Sequence, residues 1–486
     1  MTDGRVRGGY PARRMNTKSH NKSFQAPKGT RDFYPEELLR RRYIAETWRA
    51  VSIRHGFEEI DGPTFEHADL YTVKSGEGIL SELFSFRREG GDDLYALRPE
   101  FTPTLARMYA ARARQLPSPT RWFCIPNFFR AENPQRGRLR EFFQWNVDVL
   151  GDTTPNADGD VAACLIDCLR TTGLGPDVVR LDINLKGTIA DAAKFAGVSI
   201  ERMESVYSYI DAIPKLNPAQ RLERQEALGL TELEASRILD TLEKLRIEVG
   251  LPDADWERSG RIIEESRFDD LMNAINALIL RTFERWWYVN PYIVRGLAYY
   301  TGTVFEVIAE GERAIAGGGR YDNLIELFGG PPTPACGFGM GDVVLSLVLE
   351  DRGLMPKGMG ELMDAVECVM RSYSMRPDAF VFSNGDEAAE AKVVPLMAEL
   401  RRGVESPDYQ GKPWRPERYE VRPMHVRTTG KSTRNVGKLM KDAASSNARF
   451  AVILESGEHA TVKDLTTGDE HKDTPIEKIA RMIAGG

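Results

Sequence analysis

The sequence predicts a β-based core, split by a long helical insertion and followed by a separate C-terminal α/β domain. Three observations predict it. Residues 121–130, 140–150, 178–185 and 303–308 read as strands, with β-branched and aromatic residues between turn signals. Residues 187–286, lying between the third and fourth of these, are charged, helix-rich and short of β-branched runs, as in 231–245. Residues 377–486 alternate strand and helix, the pattern of an independent α/β unit.

Taken in order, residues 1–24 are rich in Gly, Arg, Asn and Ser and predict a disordered basic tail. Residues 35–55 predict a helix, because Leu38, Leu39, Tyr43, Ile44, Trp48 and Val51 recur at i+3/i+4 spacings and Gly56 stops it. Residues 57–65 read as extended. The first part of the core is expected over 25–186, the insertion over 187–286 and the second part over 287–360, with a further strand near 314–316. A linker is expected over 361–376. Beyond it come a strand at 379–382, a helix at 388–402, a strand at 419–426, a helix at 436–446, strands at 450–454 and 460–465, and a helix at 476–483.

Composition narrows the function classes. Of 486 residues, 42% are hydrophobic and 28% charged, which excludes long disorder and collagen-like repeats. No run approaches the apolar length of a membrane-spanning helix, and residues 1–24 lack the apolar run of a secretory signal, so a cytoplasmic location without a membrane partner is expected. The five cysteines form no CxxC and the six histidines no HExxH, so no structural metal is expected. Charge is uneven. Residues 1–31 hold eight Lys/Arg against Asp3, and residues 421–449 hold seven against Asp442, in a chain of net charge −7. A basic patch on an acidic body suits local docking of a polyanion; ordinary solvated surface is the alternative.

Two glycine motifs are near misses. Gly430-Lys431-Ser432-Thr433 resembles the end of a P-loop, but His425 stands where the first glycine is needed. Gly337-Phe338-Gly339-Met340-Gly341 nearly matches a dinucleotide fingerprint, yet Asp342 follows and no βαβ unit surrounds it. The segment 121–150 says more. Period two places Gln144, Asn146 and Asp148 on one strand face, which Phe142 shares. Arg130, Glu132, Arg136, Arg138 and Arg140 surround the preceding loop. Arginine forks pair with phosphate and an aromatic ring stacks on a base, so this face suits a nucleotide, against the plainer alternative of a solvated sheet face. Glu100 and Thr102 share a face if extended and suit an ammonium group; a helix N-cap is the alternative. Arg295 to Glu306 and Gly317 to Asp322 are glycine-containing segments that read either as turns or as close approach to a ligand. Cys164 and Cys168, i and i+4 on a helix starting near Asp158, read as core.

These segments together resemble the class II aminoacyl-tRNA synthetases and, within them, the histidyl-tRNA synthetases. Lys28 to Pro35 resembles the family's opening segment, Gly56 to Glu66 motif 1, Phe129 to Phe142 motif 2, and Gly337 to Gly341 the glycine half of motif 3. Arg295 to Glu306 and Gly318 to Asp322 resemble the two histidine-specific segments. The resemblance implies an α+β catalytic core built on an antiparallel sheet and a C-terminal anticodon-binding domain. It implies ligation of histidine to its tRNA through a histidyl-adenylate, with ATP entering as its magnesium complex, and a homodimer built through motif 1, to which Phe57, Ile60 and Phe65 lend apolar content. By resemblance, Arg130 and Arg295 are catalytic at the α-phosphate. Glu100, Thr102, Gln144, Asp148, Tyr299, Tyr300 and Tyr321 bind histidine. Glu132, Arg138 and Phe142 join the two arginines in binding ATP, and Arg427, Lys431 and Arg434 contact tRNA. Three positions depart from the family. Asp148 replaces Glu, Ala298 replaces Asp, and Val344 replaces the arginine that covers the adenine's second face, leaving Phe142 on one face and an aliphatic surface on the other. The alternative function is a non-catalytic, histidine-sensing regulatory subunit of a biosynthetic phosphoribosyltransferase.

Overall fold

A computed structural model describes residues 25–75, 77–250, 265–282, 286–293, 300–309, 314–430 and 433–485; the expected basic tail, 1–24, lies outside them. The core is a nine-stranded sheet. Its order is Glu58–Glu59, Thr120–Cys124, Glu141–Leu150, Ala335–Gly341, Ala316–Arg320, Thr303–Ala309, Val179–Leu185 and Trp287–Val289, and Asn127–Phe129 also pairs with Glu141–Leu150. Neighbours from Thr120–Cys124 to Val179–Leu185 are antiparallel. The two outer pairings are parallel. A parallel pair needs a crossover connection, and the helical block supplies it between Val179–Leu185 and Trp287–Val289.

One sheet face is apolar. Trp145, Val147, Val149, Phe305, Phe338 and Met340 pack there with Tyr43, Trp48 and Val51 of the helix Pro35–Arg54 and with Cys164, Leu165 and Cys168 of the helix Pro155–Thr171. The first helix starts as its sequence predicts, with Pro35 in its first turn followed by Glu36 and Glu37. Both cysteines are core residues, as expected.

The helical block is not one unit. Ile189, Val206, Ile210, Ile238 and Leu242 make a cluster of their own. The helix Glu265–Thr282 instead sends Ile275 and Leu278 into the main core. It crosses Pro155–Thr171 closely because Gly159 has no side chain; a Cβ there would sit 2.9 Å from the Ala277 backbone.

The expected linker, 361–376, is largely the helix Gly358–Arg371, which buries Leu362, Ala365, Val366 and Val369 and sends the last three into the core. That i, i+3, i+4, i+7 spacing is an amphipathic signature. The C-terminal sheet runs Val426–Arg427, Ala379–Ser383, Phe450–Leu454, His459–Asp464, Glu470–Pro475, parallel across the first three strands and antiparallel beyond. The strand expected at 419–426 is two strands in different sheets, with Pro423 between them, where the chain lacks a ladder donor. Glu470–Pro475 was not expected as a strand, since its polar residues carry little β-propensity; it forms as an edge on His459–Asp464. The strand expected near 314–316 is Ala316–Arg320 and takes in all three glycines.

Candidate active site

The second sheet face holds the candidate site. Register places Asp148 opposite Gly337 and Trp122, Asn146 opposite Gly339 and Cys124, and Gln144 opposite Gly341. Directly opposed residues share a face, so Gln144, Asn146 and Asp148 stand in one row beside a lane of glycines. The lane continues sideways, since Gly337 pairs with Gly319 and Gly339 with Gly317. The glycines are there because something lies on them. A Cβ on Gly337 would meet Asp148 Oδ1 at 2.0 Å, and one on Gly339 would meet Gln144 Nε2 at 2.4 Å. On Gly319 it would meet Thr303 O at 2.4 Å and the Tyr300 ring at 3.0 Å. The side chains of Gln144 and Asp148 and the Tyr300 ring therefore lie across a glycine floor. The triple glycine is a strand under close packing, not a turn.

Asp148 is 7% exposed, so this is not a solvated sheet face. Burial pushes its carboxyl up to about 7, against the opposing effect of the Tyr321 hydroxyl, which donates to Asp148 Oδ1. A buried acid that titrates near neutrality and carries one fixed donor is a polar anchor in an otherwise apolar setting. Tyr300 is held from outside the sheet. Lys186 Nζ donates to the Tyr300 carbonyl at 2.7 Å, and Lys186 N donates to the Gly302 carbonyl at 3.1 Å.

At the other end of the row stands the hairpin between Asn127–Phe129 and Glu141–Leu150. The Arg130 guanidinium lies 5.1 Å from the Phe142 ring centroid, and Arg130 Nε donates to Pro99 O at 3.1 Å. The side chains that the resemblance assigns to α-phosphate and adenine thus touch each other. Glu132 and Arg138 are likewise joined, by an ion pair. The opening segment braces this end: Arg31 pairs with the buried Asp342 at 2.6 Å, and Arg140 N donates to Gly29 O at 2.8 Å.

Several expectations change. Glu100 and Thr102 do not share an extended face, because Thr102 opens the helix Thr102–Arg112. Neither side chain is the N-cap, which is Phe101, without a side-chain cap bond. Pro103 favours that early turn into helix. Glu100 nevertheless sits beside Pro99, the residue whose carbonyl Arg130 grips. Val344 offers no aliphatic surface to an adenine beside Phe142; it is buried in the cluster with Trp145 and Phe338, on the opposite sheet face. Arg427 is tied to the core, pairing with Glu58 at 3.3 Å. Arg434 is exposed, with Lys438 and Lys441 nearby on or before the helix Val436–Ser445. Arg295, Tyr299 and Lys431 lie outside the described residues.

The structure adds Trp122, Cys124, Lys186 and the floor of Gly319, Gly337 and Gly339. Only the glycines had a signal: they recur at every second position in two segments, as do the polar residues of 144–148.

Known proteins place the chain. The family model described as histidyl-tRNA synthetase matches residues 29–342. A histidine–tRNA ligase of Opitutus terrae is 35% identical, over 95% of this chain and 98% of its own. One of Pyrococcus horikoshii is 37% identical, over 94% of this chain and 98% of its own. The crystal structure of histidyl-tRNA synthetase from Nostoc sp. PCC 7120 shares the fold with a TM-score of 0.57 at 21% identity, covering 95% of this chain and 99% of that one. With the segment that resembles motif 2 leading into a strand whose polar face lies over a glycine floor, and with relatives matching along nearly the whole chain, the protein belongs to the histidyl-tRNA synthetase family.

Proposed function

We propose that this chain ligates L-histidine to its tRNA in two steps. The histidine carboxylate attacks the α-phosphorus of ATP, forming histidyl-adenylate and releasing pyrophosphate. A ribose hydroxyl of the tRNA 3′-terminal adenosine then attacks the adenylate carbonyl and releases AMP. ATP enters as its magnesium complex, which is a substrate. The observation that carries the reading is the single row from Phe142 through Gln144 to Asp148 on one strand face. At about 3.3 Å per residue it spans roughly 20 Å, room for an amino acid joined to a nucleotide.

In this reading Asp148, oriented by Tyr321, accepts an imidazole N–H, and the Tyr300 ring closes that side. Gln144, joined by Glu100 and Thr102 by resemblance, takes the ammonium end. Phe142 stacks on adenine. Arg130 moves its charge from the Phe142 ring to the α-phosphate, exchanging a contact of about 0.5–2 kcal/mol for a charge-assisted one. Arg295 and Tyr299 join these roles by resemblance, and Glu132 and Arg138 serve the nucleotide's phosphates. The protein's contribution is positioning and charge stabilisation. The regulatory reading is not better supported, because the ligase relatives match across the C-terminal residues too.

We infer further that the enzyme is a cytoplasmic homodimer. Among the described residues no helix is long and apolar enough to cross a membrane. Phe57 is buried inside the protomer and closed to an interface, while Ile60 is half-buried against the core. Phe65 is open to one: it is 48% exposed and meets Phe86 and Tyr95 in an open aromatic cluster on the sheet Phe65–His67, Leu94–Leu97, Ser85–Arg87. A patch of that kind marks an interaction surface. Histidine-dependent ATP–pyrophosphate exchange tests the activity and sedimentation tests the dimer. No exchange at millimolar ATP from a protein that binds histidine would replace the ligase reading with the regulatory one.

A further inference from the structure

The seam between the core and the C-terminal domain buries more arginine than carboxylate. Arg401, in the helix Glu387–Arg402, is 6% exposed. Its Nη2 donates to Val426 O at 2.9 Å in its own domain and to His55 O at 3.4 Å in the core, so one guanidinium bridges both. Its Nε has no hydrogen-bond partner. Among the described residues no carboxylate oxygen lies within the 4.0 Å of an ion pair with it. Asp160 is close enough to act on it, but that carboxylate is already held by Arg121 and Arg281.

The balance is therefore three buried or half-buried arginines around one aspartate. A second aspartate, Asp167, is paired with His55 at 3.0 Å. Burial holds His55 down to about 4, so the ring is neutral near pH 7 and adds no charge. With Nε2–H given to Asp167, its Nδ1 is left as an acceptor, and it too has no partner. His55, Asp160, Arg281, Arg401 and Thr428 line a cavity of about 60 Å³ between the domains.

A buried charge with no carboxylate within ion-pair distance is costly, and buried polar groups such as Arg401 Nε are almost always satisfied. We propose that this cavity binds one small monovalent inorganic anion, chloride or an ion of its size, held by Arg401 and locking the C-terminal domain onto the core. The space is ample for a halide together with a water that donates to His55 Nδ1. Burial and the like charges of Arg121 and Arg281 hold the Arg401 guanidinium down to about 10, against the pull of Asp160, which is the strain an anion would relieve.

The test uses the full chain. Crystals grown in gluconate and soaked in sodium bromide should show a bromine anomalous peak within hydrogen-bond reach of Arg401 Nε. In solution, chloride should raise Tm over gluconate at equal ionic strength, with saturation, and Arg401→Gln should lose that increment. Water density without an anomalous peak overturns the proposal, and so does an equal Tm in the two salts. If the variant fails to fold, the wild-type crystal and the wild-type salt comparison still decide. Neither readout depends on the proposed activity.

Discussion

Replacing Asp148 by Asn separates what this residue costs the fold from what it gives the substrate. An aspartate carboxyl that ordinarily titrates at 3.8 is pushed by burial to about 7 here. At about 1.4 kcal/mol per unit, the ionised form is disfavoured on the order of 4 kcal/mol. The sign follows. The native state holds this proton more tightly than the unfolded chain, so the contribution to stability is full below the unfolded value near 4 and is lost as pH rises through about 7. Asp148→Asn removes that loss, and the free variant should gain on wild type in calorimetric stability as pH is raised from about 5 to 8. Histidine binding should move the other way. A hydrogen bond to a charged acceptor is worth about 1.5–3 kcal/mol, or roughly 10- to 150-fold in Kd by titration calorimetry. Tyr321→Phe sharpens the test. It removes the donor that favours the carboxylate, so the acid titrates higher still. Histidine affinity should then fall at pH 7 and recover as pH rises. If Asp148→Asn binds histidine as tightly as wild type, and its stability–pH curve runs parallel, Asp148 is a structural acid and the imidazole assignment is wrong.

Gly337→Ala should damage both fold and pocket, at about 1–3 kcal/mol of overpacking, because its Cβ meets Asp148 Oδ1 at 2.0 Å and Val147 O at 2.6 Å. Gly339→Ala meets the far end of the Gln144 side chain and should keep Tm nearly unchanged while raising KM for histidine in pyrophosphate exchange. Val344→Arg, which restores the family's residue, should lower Tm severely and not improve KM for ATP, since a guanidinium there enters the core. Neutralising Arg434, Lys438 and Lys441 should weaken tRNA binding and reduce its log–log salt slope by about 0.7–0.9 for each phosphate no longer neutralised. Arg427→Ala should instead loosen domain docking, read as protease sensitivity, with a smaller change in that slope, because Arg427 already pairs with Glu58.

The sequence by itself determined most of the elements and the family. The helix of 35–55 and the face shared by Gln144, Asn146 and Asp148 survive folding, since the side on which a residue lies is a local consequence of helix or strand geometry. The motifs around Arg130 and the glycines could be recognised because their spacing along the chain is itself the signature. Tertiary structure decided which of those residues meet. Gly337 and Asp148 are far apart in sequence, and only strand register makes the glycine a floor for the carboxylate. Likewise Val344 and Arg427 read from sequence as a ligand surface and a tRNA contact. The fold buries the first in the core and sets the second beside Glu58, because the face a helix presents and the domain a strand edge meets are fixed by packing partners distant in sequence. Lys186 and Arg401 had no signal at all: a cation that holds a carbonyl or spans a domain seam has no periodicity and no motif, only a position in space.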